Sequence, residues 1–220
     1  MKRDIFPSEH DSWALIKAQE MVASCALVED QFGELKTIAG VDQAFLGDEI
    51  ISGIVILDYD TMDVMEKTYS IEDVDFPYIP TFLSFREGPA ILSAFRSLET
   101  RPDLLMIDGC GINHPRKAGL ATHIGVALDI ATIGVAKKLL CGVVEEPTSV
   151  GEYNFILLDG QYVGVSLLSK KGCNPIVIAP GHKVSLDATI KIVRHCLRGH
   201  KLPEPILVAH KYVGEIKRKL

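Results

Sequence analysis

Two carboxylates stand in runs that otherwise suit buried strands. Asp42 interrupts TIAGVDQAF (37–45), and Asp108 closes the short run LLMID (104–108). Taking a carboxylate out of water is expensive unless it is paired, hydrogen-bonded or bound to a metal. If the two strands are neighbours they lie about 4.8 Å apart, close enough for both carboxylates to share a divalent cation. Glu87 follows an aromatic-rich loop and opens a helix, so it supplies a third candidate; the alternative is an acid favoured there by the helix dipole. Asp, Glu and Asp from separate elements, with no Cys or His of zinc spacing nearby, favour a hard cation such as Mg2+. His114, Arg116, Lys117, His123, Lys137 and Lys138 follow Asp108 closely. Basic groups beside metal-binding carboxylates suit a polyanionic substrate whose transition state gains charge.

Other chemistries lack their residues. Gly109-Cys110-Gly111 follows a strand as a dinucleotide fingerprint would, but His114 stands where the third glycine belongs. There is no GxxxxGK[ST], HExxH or GxSxG. The five cysteines are odd in number and free of C-x-x-C spacing, which argues against a disulfide scaffold and a zinc ribbon and makes a reducing cytosol the expectation. No apolar run approaches the length of a membrane span, and the start MKRDIFPSEHDSW has no signal-type apolar stretch. The chain carries a net charge of −6, but unevenly. Residues 183–220 hold nine Lys/Arg against three acids, a net +6 that leaves −12 on the first 182 residues. Such a basic end is either a phosphate footprint or a solvated helix face.

Positioning these groups requires a core, and 220 residues that are 47% hydrophobic and 24% charged supply one. A single domain over residues 1–220 is the economical reading. Apolar residues at helical spacing predict a helix from Ser8 to about Asp30, capped by Ser8 or Asp11. Three β-like runs follow at Thr37–Phe45, Ile50–Tyr59 and Val64–Ser70, joined by short turns into an antiparallel meander. DVDFPYIP (73–80) reads as an extended loop, because proline excludes helix there. A helix is predicted from about Ser84 to Leu98, with Gly88-Pro89 near its beginning. Then come a strand at Leu104–Asp108, a glycine-punctuated loop, a helix at Ala121–Ile130 and a strand at Thr132–Ala136. Further strands are expected at Gln161–Ser169 and Pro175–Ala179. Gly181-His182-Lys183 reads as the start of a helix with Ser185 as its cap, and helices at Leu186–Leu197 and Glu204–Lys219 close the chain. A meander followed by strand–helix alternation implies an α/β fold with a mixed sheet flanked by helices.

The chain resembles the endonuclease V family. The resemblance runs from about Thr37 to His210 on six motifs in order: IAGVDQAF (38–45), PYIPTFLSFREGP (77–89), DGCGINHPRKAGLATHIG (108–125), TIGVAKKLLCG (132–142), PGHKVSLDAT (180–189) and LPEPILVAH (202–210). It implies a ribonuclease H-like fold. It also implies an endonuclease that flips hypoxanthine out of DNA and cuts the second phosphodiester on the 3′ side, leaving 3′-hydroxyl and 5′-phosphate ends and initiating repair. On this resemblance Asp42, Glu87 and Asp108 hold Mg2+, for which Mn2+ can substitute. His210 lies near the metal and Lys137 near the scissile phosphate. Pro77, Tyr78, Ile79 and Pro80 form a wedge, with Tyr78 filling the space of the displaced base. Leu83, Gly109, Gly119 and Leu120 form the base pocket. His114, Arg116, Lys117 and His123 contact phosphate or support the site. The expected partner is deoxyinosine-containing DNA, single- or double-stranded, met by a monomer in the cytoplasm with no role for a membrane. The alternatives are the same chemistry on inosine RNA and non-catalytic binding of damaged nucleic acid. The motifs depart from the family at Thr81 and Phe82, where it usually has glycine and leucine, and at Cys110, where it has histidine. Thr81 adds a side chain beside the pocket.

Overall fold

β-branched residues recur through the first half of the sheet, most densely in EIISGIVILD (49–58). In the computed structural model, which describes residues 5–7 and 11–220, a helix α1 (Ser12–Cys25) precedes three ten-residue strands, β1 (Thr37–Leu46), β2 (Glu49–Asp58) and β3 (Val64–Asp73). Helix α2 (Leu83–Arg96) leads to β4 (Leu104–Asp108), α3 (Leu120–Leu128) and β5 (Ala131–Ala136). Strands β6 (Tyr153–Leu158), β7 (Gln161–Leu167) and β8 (Ile176–His182) follow, then helices α4 (Leu186–His195) and α5 (Glu204–Lys217). The eight strands form one mixed sheet in the order β3-β2-β1-β4-β5-β8-β7-β6. The meander is antiparallel, β1, β4 and β5 run parallel, and β8, β7 and β6 return antiparallel.

Each face of the sheet has its own apolar layer. Ala39, Val41, Leu105 and Ile107 meet Ile91 of α2 and Ile124 of α3 on one side. Ile38, Leu104 and Met106 meet Ile206 and Ala209 of α5, with Ile190 and Val193 of α4, on the other. Central strands covered on both faces read as continuous apolar runs, which is why β2 is buried almost end to end. Side chains alternate along a strand. Asp42 therefore points with Ile38 and Gly40 toward α5, and Asp108 points with Leu104 and Met106 to that same face. The parallel register pairs Val41 with Ile107, so one further step sets Asp42 level with Asp108.

Several boundaries differ from the sequence expectation. The first helix begins at Ser12, where the Asp11 carboxylate accepts the Ala14 N–H, and it ends at Cys25; Ser8 lies outside the described residues. Residues 26–36 are held away from helix by Lys183, whose N–H donates to the Leu27 carbonyl and whose carbonyl accepts from Gln31, and by Asp30, which accepts from Ser185. Gly181 and His182 belong to β8 rather than to a helix start, and the break falls at Lys183 with φ 55°. Ser185 caps α4 as expected. Pro89 lies inside α2, on its exposed side, rather than near its beginning. Strand β6 was not anticipated. Its signal was present in Asp159-Gly160, both at positive φ, the two-residue hairpin turn that a strand pair needs. Among the described residues no helix is long and apolar enough to cross a membrane.

Candidate active site

The ends of β1 and β4 and the second turn of α2 open onto one cleft. Asp42, Glu87 and Asp108 all line it, in a cavity of about 550 Å3 shared with Lys137, Lys138 and the loop residues Tyr78, Ile79 and Pro80. Asp42 is almost wholly buried, and its Oδ2 lies 2.7 Å from His210 Nδ1 on α5. Lys137 stands just past β5 and donates to Asp108 Oδ2 at 2.5 Å. Glu87 is buried in the same cleft.

The charges here are in conflict. Burial, then Asp108, then Asp42 push the Glu87 carboxyl up to about 8. Burial and Asp108 also raise Asp42, against the opposing hydrogen bond from His210. Burial opposes the Lys137 charge, yet its hydrogen bond to Asp108 and the two aspartate charges raise its pKa. Three largely buried acids crowded into one cleft mark functional sites more than stable cores. Carboxylate oxygens are the donors that hard divalent cations take. Among the described residues, however, no three His, Cys, Asp or Glu side chains close on a single point. Lys137 and His210 occupy Asp108 and Asp42 instead.

The remaining expected residues fall into two groups. Leu83, Gly109, Gly119 and Leu120 line the cleft with the carboxylates. Gly119 has no room for a side chain: a Cβ would come within 2.4 Å of the Cys110 carbonyl oxygen. Pro77 to Pro80 are all exposed, and Tyr78 is 69% accessible. His114 also lines the cleft but is buried, with Nε2 2.9 Å from the Thr81 carbonyl. His123 is fully buried behind the site, facing the Ile5 carbonyl at 2.7 Å between the rings of Phe6 and Phe85. Burial pushes both imidazoles down to about 4, so both are neutral near pH 7. Arg116 turns inward to Gln19 and Thr81, and Lys117 reaches Gln161 at the β6–β7 turn. Thr81 itself has φ 73°, a conformation that costs a residue with a side chain about 1–2 kcal/mol.

The endonuclease V family model matches residues 19–211. The chain belongs to the endonuclease V family. It is 43% identical over 209 residues to endonuclease V of Archaeoglobus fulgidus, covering 94% of this chain and 93% of that one. The crystal structure of endonuclease V from Bacillus subtilis superposes with a TM-score of 0.91 at 29% identity, over 98% of this chain and 96% of that one. Endonuclease V of Ciona intestinalis, solved with a DNA 24-mer containing an inosine followed by a ribo-adenosine, is 25% identical with a TM-score of 0.81, over 92% and 96% of the two chains. The mixed sheet with helices on both faces is thus the ribonuclease H-like fold of the endonuclease V structures. Sequence reasoning missed Gln43, Ser84, Ala118, Ala136, Leu139 and Leu140, which also line this endonuclease V cleft. It also missed Gln19, which touches the loop from α1. Gln19 had a signal: it is a polar residue on the stripe Leu15, Ala18, Val22 that buries α1.

Proposed function

We propose that this chain is a divalent-metal-dependent endonuclease that recognises hypoxanthine in DNA and cuts the second phosphodiester 3′ to it, leaving 3′-hydroxyl and 5′-phosphate ends and starting repair. One observation carries the reading: three acids from β1, α2 and β4 line a single cleft with Lys137, directly beside the exposed loop Pro77–Pro80. The Ciona relative's inosine-containing DNA supports the substrate class.

The residues fit a divalent ion by donor chemistry and by charge. Asp42, Glu87 and Asp108 offer only oxygen, and burial together with the Asp108 charge raises the Glu87 and Asp42 carboxyls, a penalty that a divalent cation would offset. When bound, the ion supplies Lewis-acid stabilisation of the charge that builds on the phosphate oxygens. The chain does the rest. His210 holds Asp42 in place. Lys137 stands half-exposed at the mouth, able to exchange Asp108 for a phosphate oxygen. Tyr78 projects into solvent, where it can enter a base stack and offset part of the unstacking cost. The displaced base then meets Leu83, Leu120 and the backbone at Gly109 and Gly119, whose donors and acceptors distinguish hypoxanthine from adenine by leaving the adenine amino group unmatched.

The test is a labelled duplex with one deoxyinosine, incubated with Mg2+ or with EDTA. A single Mg2+-dependent cut is expected, and Asp42→Ala should slow it at least about a thousandfold while DNA affinity, set largely by phosphate contacts, stays close to wild type. An Asp42→Ala protein that still cuts at the wild-type rate refutes the metal assignment. The same geometry on inosine RNA is the second reading, because the Ciona oligonucleotide carries a ribo-adenosine after its inosine; cleavage of inosine RNA alone would establish it. Tyr78→Ala should lower the preference for inosine over adenine duplexes about tenfold, the size of one base–aromatic stack. Its melting temperature should be unchanged, since the ring touches little of the core.

A further inference from the structure

The turn that closes the Pro77–Pro80 loop is built on a residue ill suited to it. The Phe82 N–H donates to the Ile79 carbonyl at 3.0 Å, Pro80 takes the second position, and Thr81 takes the third with φ 73°. Proline's fixed negative φ followed by a positive φ makes this a type II turn, whose third residue is ordinarily glycine. Threonine is branched at Cβ, so its side chain crowds its own backbone in this region. Among the described residues with side chains and positive φ, Thr81 is the one that is β-branched.

Three side chains from outside the loop converge on it. Gln19 of α1 donates from Nε2 to the Thr81 carbonyl at 2.6 Å. His114 donates to the same oxygen from Nε2 at 2.9 Å; its Nδ1 accepts the Arg116 backbone N–H at 3.2 Å, which selects that tautomer. Arg116 donates from Nη2 to Thr81 Oγ1 at 2.7 Å and from Nε to Gln19 Oε1 at 2.5 Å. Its guanidinium also lies 4.9 Å from the centre of the Phe82 ring. Gln19 is completely buried, and both ends of its amide are used. The branched side chain that makes Thr81 awkward in this turn thus also carries the hydroxyl by which Arg116 holds it.

We infer that Gln19 and Arg116 form a latch that keeps Thr81 in its left-handed conformation and so presets the Pro77–Pro80 loop before nucleic acid arrives, which makes both of them positioning residues for base recognition. This rests on the proposed role of that loop. Residues 77–80 are exposed, so the turn behind them sets their direction. Without the latch Thr81 relaxes toward negative φ, the turn opens, and only a fraction of molecules present the loop correctly. Apparent affinity falls by that fraction. The carboxylates sit on β1, α2 and β4, outside the turn, so turnover of bound substrate is spared.

Gln19→Met keeps the buried volume and removes both hydrogen bonds. Two readouts test it: hydrogen exchange at the Phe82 amide, which reports the turn directly, and KM with kcat on an inosine duplex. Exchange should quicken and KM rise, each about tenfold, with kcat within about twofold. In a Thr81→Gly background the turn needs no latch, so adding Gln19→Met should shift either quantity by less than about twofold. Thr81→Val, which keeps the branch but loses the acceptor, should shift both in the same direction as Gln19→Met and serves if that variant folds poorly. Unchanged exchange and KM, or equal changes with and without Thr81→Gly, would overturn the latch; a merely structural Gln19 lowers the melting temperature alike in both backgrounds and leaves KM alone. Exchange is measured without nucleic acid. A wild-type protein that cuts no inosine substrate would therefore refute the functional reading while the Phe82 amide still decides the latch.

Discussion

Glu87→Gln is expected to abolish cleavage and at the same time to stabilise the metal-free protein. Glu87 is buried on α2 facing the charges of Asp42 and Asp108, and together with burial they push its carboxyl up to about 8. An ordinary glutamate titrates at 4.5. The folded chain therefore holds this proton more tightly than the unfolded chain does. The stability it contributes is fully present below pH 4.5 and is lost as the pH rises toward 8. Glutamine keeps the shape and removes the charge. Its advantage should be absent in acid and complete above pH 8, worth at least about 1 kcal/mol, or about 2–4 °C in melting temperature for a chain of this size. Adding Mg2+ should raise the melting temperature of the wild type more than that of the variant, because it relieves the same repulsion. On the proposed metal role, exchanging the carboxylate for a neutral amide should slow cleavage at least about a thousandfold. Calorimetry at pH 5 and pH 8, with and without Mg2+, checks the stability half. A variant that melts below the wild type at pH 8 would show that the three acids are not in conflict.

Gly40→Ala should unseat α5 and with it the His210 contact to Asp42. A Cβ at Gly40 would lie 1.8 Å from the Pro205 carbonyl oxygen, and backbone cannot swing aside as a side chain can. Next along the same sheet face, a Cβ at Gly53, the partner of Asp42 across the β1–β2 pair, would meet Val213 at 2.4 Å. Bare backbone at these two positions lets α5 lie directly on the sheet. Overpacking there should cost about 3 kcal/mol and lower the melting temperature by about 6–12 °C. Cleavage should fall even at temperatures where the variant remains folded, since His210 moves with its helix. Gly214, on α5 with nothing within 4 Å of its would-be Cβ, is the control. Alanine there should stabilise slightly through helix propensity alone. Circular dichroism melts of the two variants make the comparison, and a Gly40→Ala protein as stable as the wild type would mean that α5 is not seated this closely.

What the sequence determined by itself is whatever depends on near neighbours along the chain. Alternation and unbroken apolar runs marked β1, β2, β4 and β5, and their helical counterparts marked α2, α3, α4 and α5, to within a few residues. Asp42 and Asp108 were legible because a charge inside an otherwise buried strand conflicts with its surroundings. The first helix was overextended because residues 26–36 are held by Lys183 and Ser185, partners that no local pattern reveals. Which groups meet lay outside the local patterns: the resemblance implied the grouping of the acids with His210, and the tertiary structure supplied the contacts themselves. His210 reaches Asp42 across 168 positions, Gln19 reaches Thr81 across 62, and Glu87 joins the two aspartates from a different layer of the fold. Spacing predicts a helix or a strand because backbone hydrogen bonding is periodic and local. It cannot say where two layers come to rest, since that is set by packing between surfaces distant in sequence, and here by the bare backbone at Gly40 and Gly53 on which α5 settles.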